Sequence, residues 1–122
     1  MKPDAVSLNP RRRKYGNHKV SVDGLTFDSK AEYRRWCSLK ILERCGEITQ
    51  LERQVPYELV PAQRAPCGTK LQAIKYIADF VYRNRAGELV VEDPKGVSTA
   101  EWKLKRKLML HVHGIWVKEI RT

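Results

Sequence analysis

Asp79, Asp93 and Lys95 are the residues of this chain whose types and spacing best suit concerted chemistry. They lie in ADFVYRNRAGELVVEDPKG, residues 78–96, which reads as one β-hairpin. Residues 73–83 and 88–92 are rich in β-branched and aromatic types, and Asn84-Arg85-Ala86-Gly87 separates them. A three-residue loop fits: Arg85 and Ala86 form a type I turn, and Gly87 takes the left-handed conformation that glycine enters freely. Asn84 then pairs with Glu88, Asp79 faces Asp93, and Ile77 faces Lys95. A two-residue loop would instead bring Glu92 opposite Asp79. Alternation along the second strand puts Val91, Asp93 and Lys95 on one face and Val90, Glu92 and Pro94 on the other.

Two carboxylates facing each other across a ladder repel and weaken a sheet. A divalent cation between them removes the repulsion. Hard oxygen ligands suit Mg²⁺, with Mn²⁺ as substitute, and such ions hold one or two carboxylates plus waters and substrate phosphate. Lys95, one pleat further on, is suited to orient an attacking water or to neutralise charge building on a phosphate. These residue types are those of a metal-dependent phosphodiesterase. The bland alternative is an exposed hairpin with solvated charges.

The elements needed to hold this hairpin can be traced along the chain. Residues 1–19, ending RRRKYGNHK, form a basic arm; Arg11, Arg12, Arg13 and Lys14 either release counterions from DNA phosphates or are simply solvated. VSVDGLTF, residues 20–27, reads as a tight hairpin turning at Asp23-Gly24. The longest helix follows, capped by Ser29 and stopped at Gly46. Its apolar stripe runs through Tyr33, Trp36, Cys37, Leu39, Ile41 and Cys45. Residues 48–60 suggest a strand broken near Pro56, and PAQRAPCGTK a loop. After the hairpin, a helix capped by Ser98 or Thr99 runs to Gly114 and carries the row Leu104, Leu108 and Val112. IWVKEI closes the chain as a strand. The order is helix, three strands, helix, strand. The first three strands should form an antiparallel meander, and the crossover helix should leave the last strand parallel to the DPK strand. Residues 20–122 thus read as one domain.

With 24 Lys and Arg against 14 Asp and Glu, the formal charge is +10, which predicts a polyanion partner. No stretch approaches the roughly 18–20 apolar residues of a spanning helix, and no signal-peptide core is present, so the expectation is a cytoplasmic protein without a membrane partner. Three cysteines without a CxxC pair agree with a reducing compartment. His111 and His113 are two residues apart and do not share a helix face, so a helix-terminus role is simpler than zinc ligation. The three tryptophans read first as core or interface aromatics, and base stacking is their functional alternative.

This order, with these residues, resembles the PD-(D/E)XK nuclease superfamily. Asp79 matches the first Asp of the motif, Asp93-Pro94-Lys95 its (D/E)-x-K, and Glu32, in DSKAEYRRW, the acidic residue that many members carry on the first helix. The strings KYGN, VDGLTFDSKAE, KYIADF and VVEDPKG together are similar to a family of small phage and prophage proteins assigned to that superfamily. The resemblance implies a restriction-endonuclease-like αβββαβ core, with a mixed four-stranded sheet flanked by helices, and Mg²⁺-dependent hydrolysis of DNA. It implies metal contacts from Asp79, Asp93, the Pro94 carbonyl and Glu32, the last directly or through water. Ser29-x-x-Glu32 is equally a capping box. Lys103 or Lys107, and Arg34 and Arg35, are the candidate phosphate contacts. Pro94 stands where an apolar residue is usual and cannot donate to a central ladder, so the strands should separate there. Because small members include dimeric junction resolvases, the resemblance extends to a homodimer and to branched DNA as substrate. The competing readings are an inactive nuclease-fold module that binds DNA, and a small basic RNA-binding protein.

Overall fold

The computed structural model describes residues 19–95 and 99–121, with the backbone alone at Lys95. The basic residues Arg11, Arg12, Arg13 and Lys14, and the alternative cap Ser98, lie outside the described residues. The chain divides into two compact units, Met1–Cys37 and Ser38–Thr122, with the boundary inside the first helix.

In the first unit, β1 (Val20–Val22) and β2 (Leu25–Phe27) pair antiparallel, Val22 against Leu25. Asp23 and Gly24 both have positive φ, at 53° and 80°, the signature of a type I′ turn. Helix α1 (Lys30–Arg44) starts where the Ser29 hydroxyl accepts from the Glu32 backbone N–H at 3.1 Å. Phe27 is buried and meets the Tyr33 ring edge-on at 5.3 Å.

In the second unit, α1 ends at Gly46 (φ 81°), where Glu47 N–H donates to the Leu42 carbonyl. Leu39 is buried, but Ile41 is exposed. Two positions along a helix differ by about 200°, so the two cannot share the core face. The expected stripe therefore loses Ile41, and Cys45 is exposed too.

The main sheet has the order β3-β6-β7-β8, formed by β3 (Thr49–Val60), β6 (Ile74–Arg83), β7 (Leu89–Lys95) and β8 (Lys118–Arg121). β3, β6 and β7 are antiparallel, and β8 is parallel to β7 after the crossover helix α2 (Ala100–His113). This is the expected mixed four-stranded α+β arrangement. β3 runs unbroken through Pro56, which an edge strand tolerates. Its register shifts between Thr49 and Glu52 and between Glu58 and Val60, and Gln50 and Gln54 adopt left-handed φ of 56° and 57°. The expected loop after β3 holds a small hairpin of β4 (Gln63–Arg64) and β5 (Lys70–Leu71).

Thr99 caps α2 by accepting from Trp102 N–H at 3.1 Å, and Gly114 closes it in the left-handed region (φ 70°). Trp102 and Met109 are the residues α2 buries, among Leu59, Tyr76, Ala78, Val81, Val91 and Val117. The expected row is rotated off this face: Leu104 is 59% exposed and Val112 is exposed, while Leu108 packs partly against the core. No helix among the described residues is long and apolar enough to cross a membrane.

Candidate active site

The turn sets the geometry. Asn84 N–H donates to the Glu88 carbonyl at 3.0 Å, Gly87 N–H to the Asn84 carbonyl at 2.9 Å, and Gly87 has φ 83°. The β6–β7 register then runs from Arg83↔Leu89 to Phe80↔Glu92, which is the three-residue-loop register. Asp79 and Asp93 are the next residues on the two strands. There the ladder ends: β6 from Ile74 to Ala78 pairs with β3, and β7 from Glu92 to Lys95 pairs with β8. Pro94 lies beyond the last β6 pair and sits opposite Ile120 of β8, so its missing N–H leaves no gap in the hairpin ladder. The sheet splits, with the two aspartates at the point where it opens. Lys95 pairs with Arg121 rather than facing Ile77. The expectation for Ile77 fails because the strands have already parted.

Asp93 is 2% exposed. Its Oδ2 accepts from the Tyr76 hydroxyl at 2.5 Å and from the Trp102 indole Nε1 at 3.0 Å. A buried carboxylate requires such donors, because its desolvation would otherwise be prohibitive. Burial, followed by the negative charge of Asp93 and the bond to it, pushes the Tyr76 phenol well above the usual tyrosine range. Asp79 is half-buried and accepts from Gln54 Nε2 at 3.2 Å. Gln54 lies on β3 between Arg53, which pairs with Phe80, and Val55, which pairs with Ala78.

Glu92, the other acid beside Asp93, is fully buried and accepts from the Tyr82 hydroxyl at 2.6 Å. Pairing with Phe80 gives it that residue's face, opposite to Asp93, as strand alternation demands. Glu32 belongs to the first unit. It is 3% exposed, and its Oε1 accepts from Asp28 N–H at 2.8 Å. The expected capping box is thus present in a shifted form, reaching back to Asp28 rather than Ser29.

Lys103 and Lys107 are exposed on α2, and Lys105 pairs with Glu101 at 3.2 Å. Arg34 is exposed and Arg35 half-buried on α1. His113 Nε2 lies 2.7 Å from the Glu58 carbonyl oxygen, and its ring meets Tyr57 edge-on at 5.4 Å. Among the described residues, no three His, Cys, Asp or Glu side chains are grouped to hold a metal.

Sequence reasoning missed Tyr76, Trp102 and Gln54 as partners of the aspartates. The available signal was polar-tipped aromatics close to the motif, Tyr76 three residues before Asp79 and Trp102 in the first turn after the DPK strand.

These features define an α+β protein whose mixed sheet opens between two aspartates on adjoining strands. A family model described as "Protein of unknown function (DUF1064)" matches residues 12–120, and the chain belongs to that family. No curated protein and no solved structure matches it.

Proposed function

We propose that this protein is a metal-dependent endonuclease that hydrolyses DNA phosphodiester bonds. The observation that carries this reading is the pair Asp79 and Asp93, first past the last hairpin rung, with one oxygen of Asp93 bound by Tyr76 and Trp102. The formal charge of +10 and the resemblance to PD-(D/E)XK nucleases support it.

The donor set fits Mg²⁺ or Mn²⁺. These are hard oxygens, and two carboxylates with waters suffice for Mg²⁺, so a third acidic side chain is not needed. Asp79 and Asp93 would hold the ion, with the Pro94 carbonyl as a further oxygen. When bound, the ion supplies Lewis-acid stabilisation of phosphate charge and an acidified water. Tyr76 and Trp102 hold Asp93 in one orientation, as outer-shell partners of ligating carboxylates do. Lys95 is assigned the water or the phosphate oxygen. Lys103 and Lys107 supply charge for the DNA backbone. We place the activity in a bacterial cytoplasm, on phage or prophage DNA, in recombination, repair or packaging.

Burial of Asp93 favours a second reading, a DNA-binding module that keeps the fold without cutting. Incubation of supercoiled DNA with Mg²⁺, Mn²⁺ or chelator separates the two. Nicking by the wild type that needs metal and disappears in Asp79→Asn and Asp93→Asn is the expected result. Wild-type binding without nicking in either metal selects the module.

A further inference from the structure

The segment after Gly114 alternates sharply: Ile115 is partly buried, Trp116 is 56% exposed, and Val117 is fully buried. An exposed tryptophan is a large apolar surface left in water, and its surroundings here are cationic. The Arg106 guanidinium lies 3.8 Å over the Trp116 ring centroid. It is held there, because its Nε donates to the Val117 carbonyl at 2.8 Å and it also sits 5.1 Å from the Trp102 ring. Beside Trp116 is an open cavity of about 500 Å³ whose lining includes Val90, Arg106, Lys118 and Glu119. Lys118 is exposed, and Glu119 is paired with Arg121 at 3.7 Å.

We propose that Trp116, Arg106 and Lys118 form a subsite for an unpaired nucleotide of a DNA strand. The indole offers a stacking surface that accepts any base, and Lys118 and Arg106 offer charge to the attached phosphate. A base still paired in a duplex cannot lie on this indole, so the subsite selects frayed, gapped or branched DNA. The polymer's identity rests on the nuclease reading above, and the inference adds its substrate class.

The position suits that role. In the parallel register Lys118 pairs with Glu92 and Glu119 with Asp93. Lys118 therefore shares the Glu92 face, opposite to Asp93, and Trp116, three residues before Glu119, places the subsite about 10 Å along an extended chain from it, at the β8 edge of the sheet. Trp102 joins the subsite and Asp93 physically, since its N–H binds Asp93 and its ring faces Arg106.

The test reads binding in chelator, without cleavage. Fluorescence anisotropy compares an oligothymidylate of roughly a dozen nucleotides with a blunt duplex. Trp116→Leu should weaken the oligothymidylate about ten-fold and the duplex less than about two-fold, with Trp116→Phe in between. Unfolding curves of both variants establish that they are folded. Equal affinity of wild type and Trp116→Leu for oligothymidylate overturns the subsite, as does an equal loss on both DNAs, no wild-type binding, or a preference for oligouridylate. Absence of nicking would sink the nuclease reading and leave this binding result standing.

Discussion

Trp102, in the first turn of α2, donates its indole N–H to Asp93, nine residues earlier on β7, at 3.0 Å. The crossover helix therefore does more than carry the chain to β8. It packs its largest side chain on the core and uses that side chain's one polar atom to hold a buried carboxylate. Removing the donor costs more than lost packing, because a charged acceptor must then find other solvation. Trp102→Phe should destabilise the protein by about 2 kcal/mol or more. Trp116→Phe, at an exposed position, should cost under about 1 kcal/mol. Urea unfolding followed by circular dichroism measures both; similar losses would remove the special role of Trp102.

Tyr76 donates to the same oxygen and gives a pH signature. Its folded-state pKa is raised, first by burial and then by Asp93. A raised pKa means the folded chain holds the phenolic proton more tightly. The resulting stability is complete below about pH 10, the unfolded tyrosine value, and is lost as pH rises above it, by up to about 1.4 kcal/mol per pH unit. Tyr76→Phe should lose about 1.5–3 kcal/mol at neutral pH and then fall less steeply between pH 9 and 11. Parallel slopes for the two proteins would show that this phenol does not titrate as described.

The hairpin register was legible because turn chemistry dictates it: Gly87 alone of its loop tolerates the left-handed conformation, and one residue of slip would have exchanged Asp93 for Glu92. The αβββαβ order was legible for a similar reason, since apolar periods and caps at Ser29, Thr99, Gly46 and Gly114 agree. The buried face of α2 was not. Leu104, Leu108 and Val112 make a clean i, i+4, i+8 row, but the core takes Trp102 and Met109, and half-buried Lys105 and Arg106 hide that face from a polarity count. The partners of the aspartates were also hidden. Tyr76 and Trp102 meet Asp93 past the last β6–β7 pair; Pro94 signalled that the strands part, but no residue pattern reports which side chains then reach the carboxylate. Gln54 is a left-handed non-glycine within a strand and leaves no sequence trace.

The corrected face of α2 yields a direct comparison. Met109 is fully buried, whereas Leu104 is mostly exposed. Met109→Ala should cost about 2–5 kcal/mol through lost transfer energy and the cavity left behind. Leu104→Gln should stay within about 0.5 kcal/mol. Chemical denaturation of the two variants decides it, and a reversed order would restore the face read from the sequence.

Glu32 has a helix-cap role in the structure and a chemical role in the resemblance, and the two separate experimentally. Its backbone N–H donates to Ser29 Oγ, and its own Oε1 accepts from Asp28 N–H. Glutamine offers the same acceptor geometry without charge, which is why capping boxes use either residue. Ser29→Ala removes a cap and should cost about 1 kcal/mol. Glu32→Gln should keep the cap and change stability by less than about 1 kcal/mol, while lowering metal-dependent nicking by at least about ten-fold if the carboxylate contributes charge to the site. Thermal unfolding and the supercoiled-DNA assay are read on the same preparations. Full nicking by Glu32→Gln would confine Glu32 to the helix start, and a stability loss equal to that of Glu32→Ala would mean that its charge, not its hydrogen bond, holds the cap.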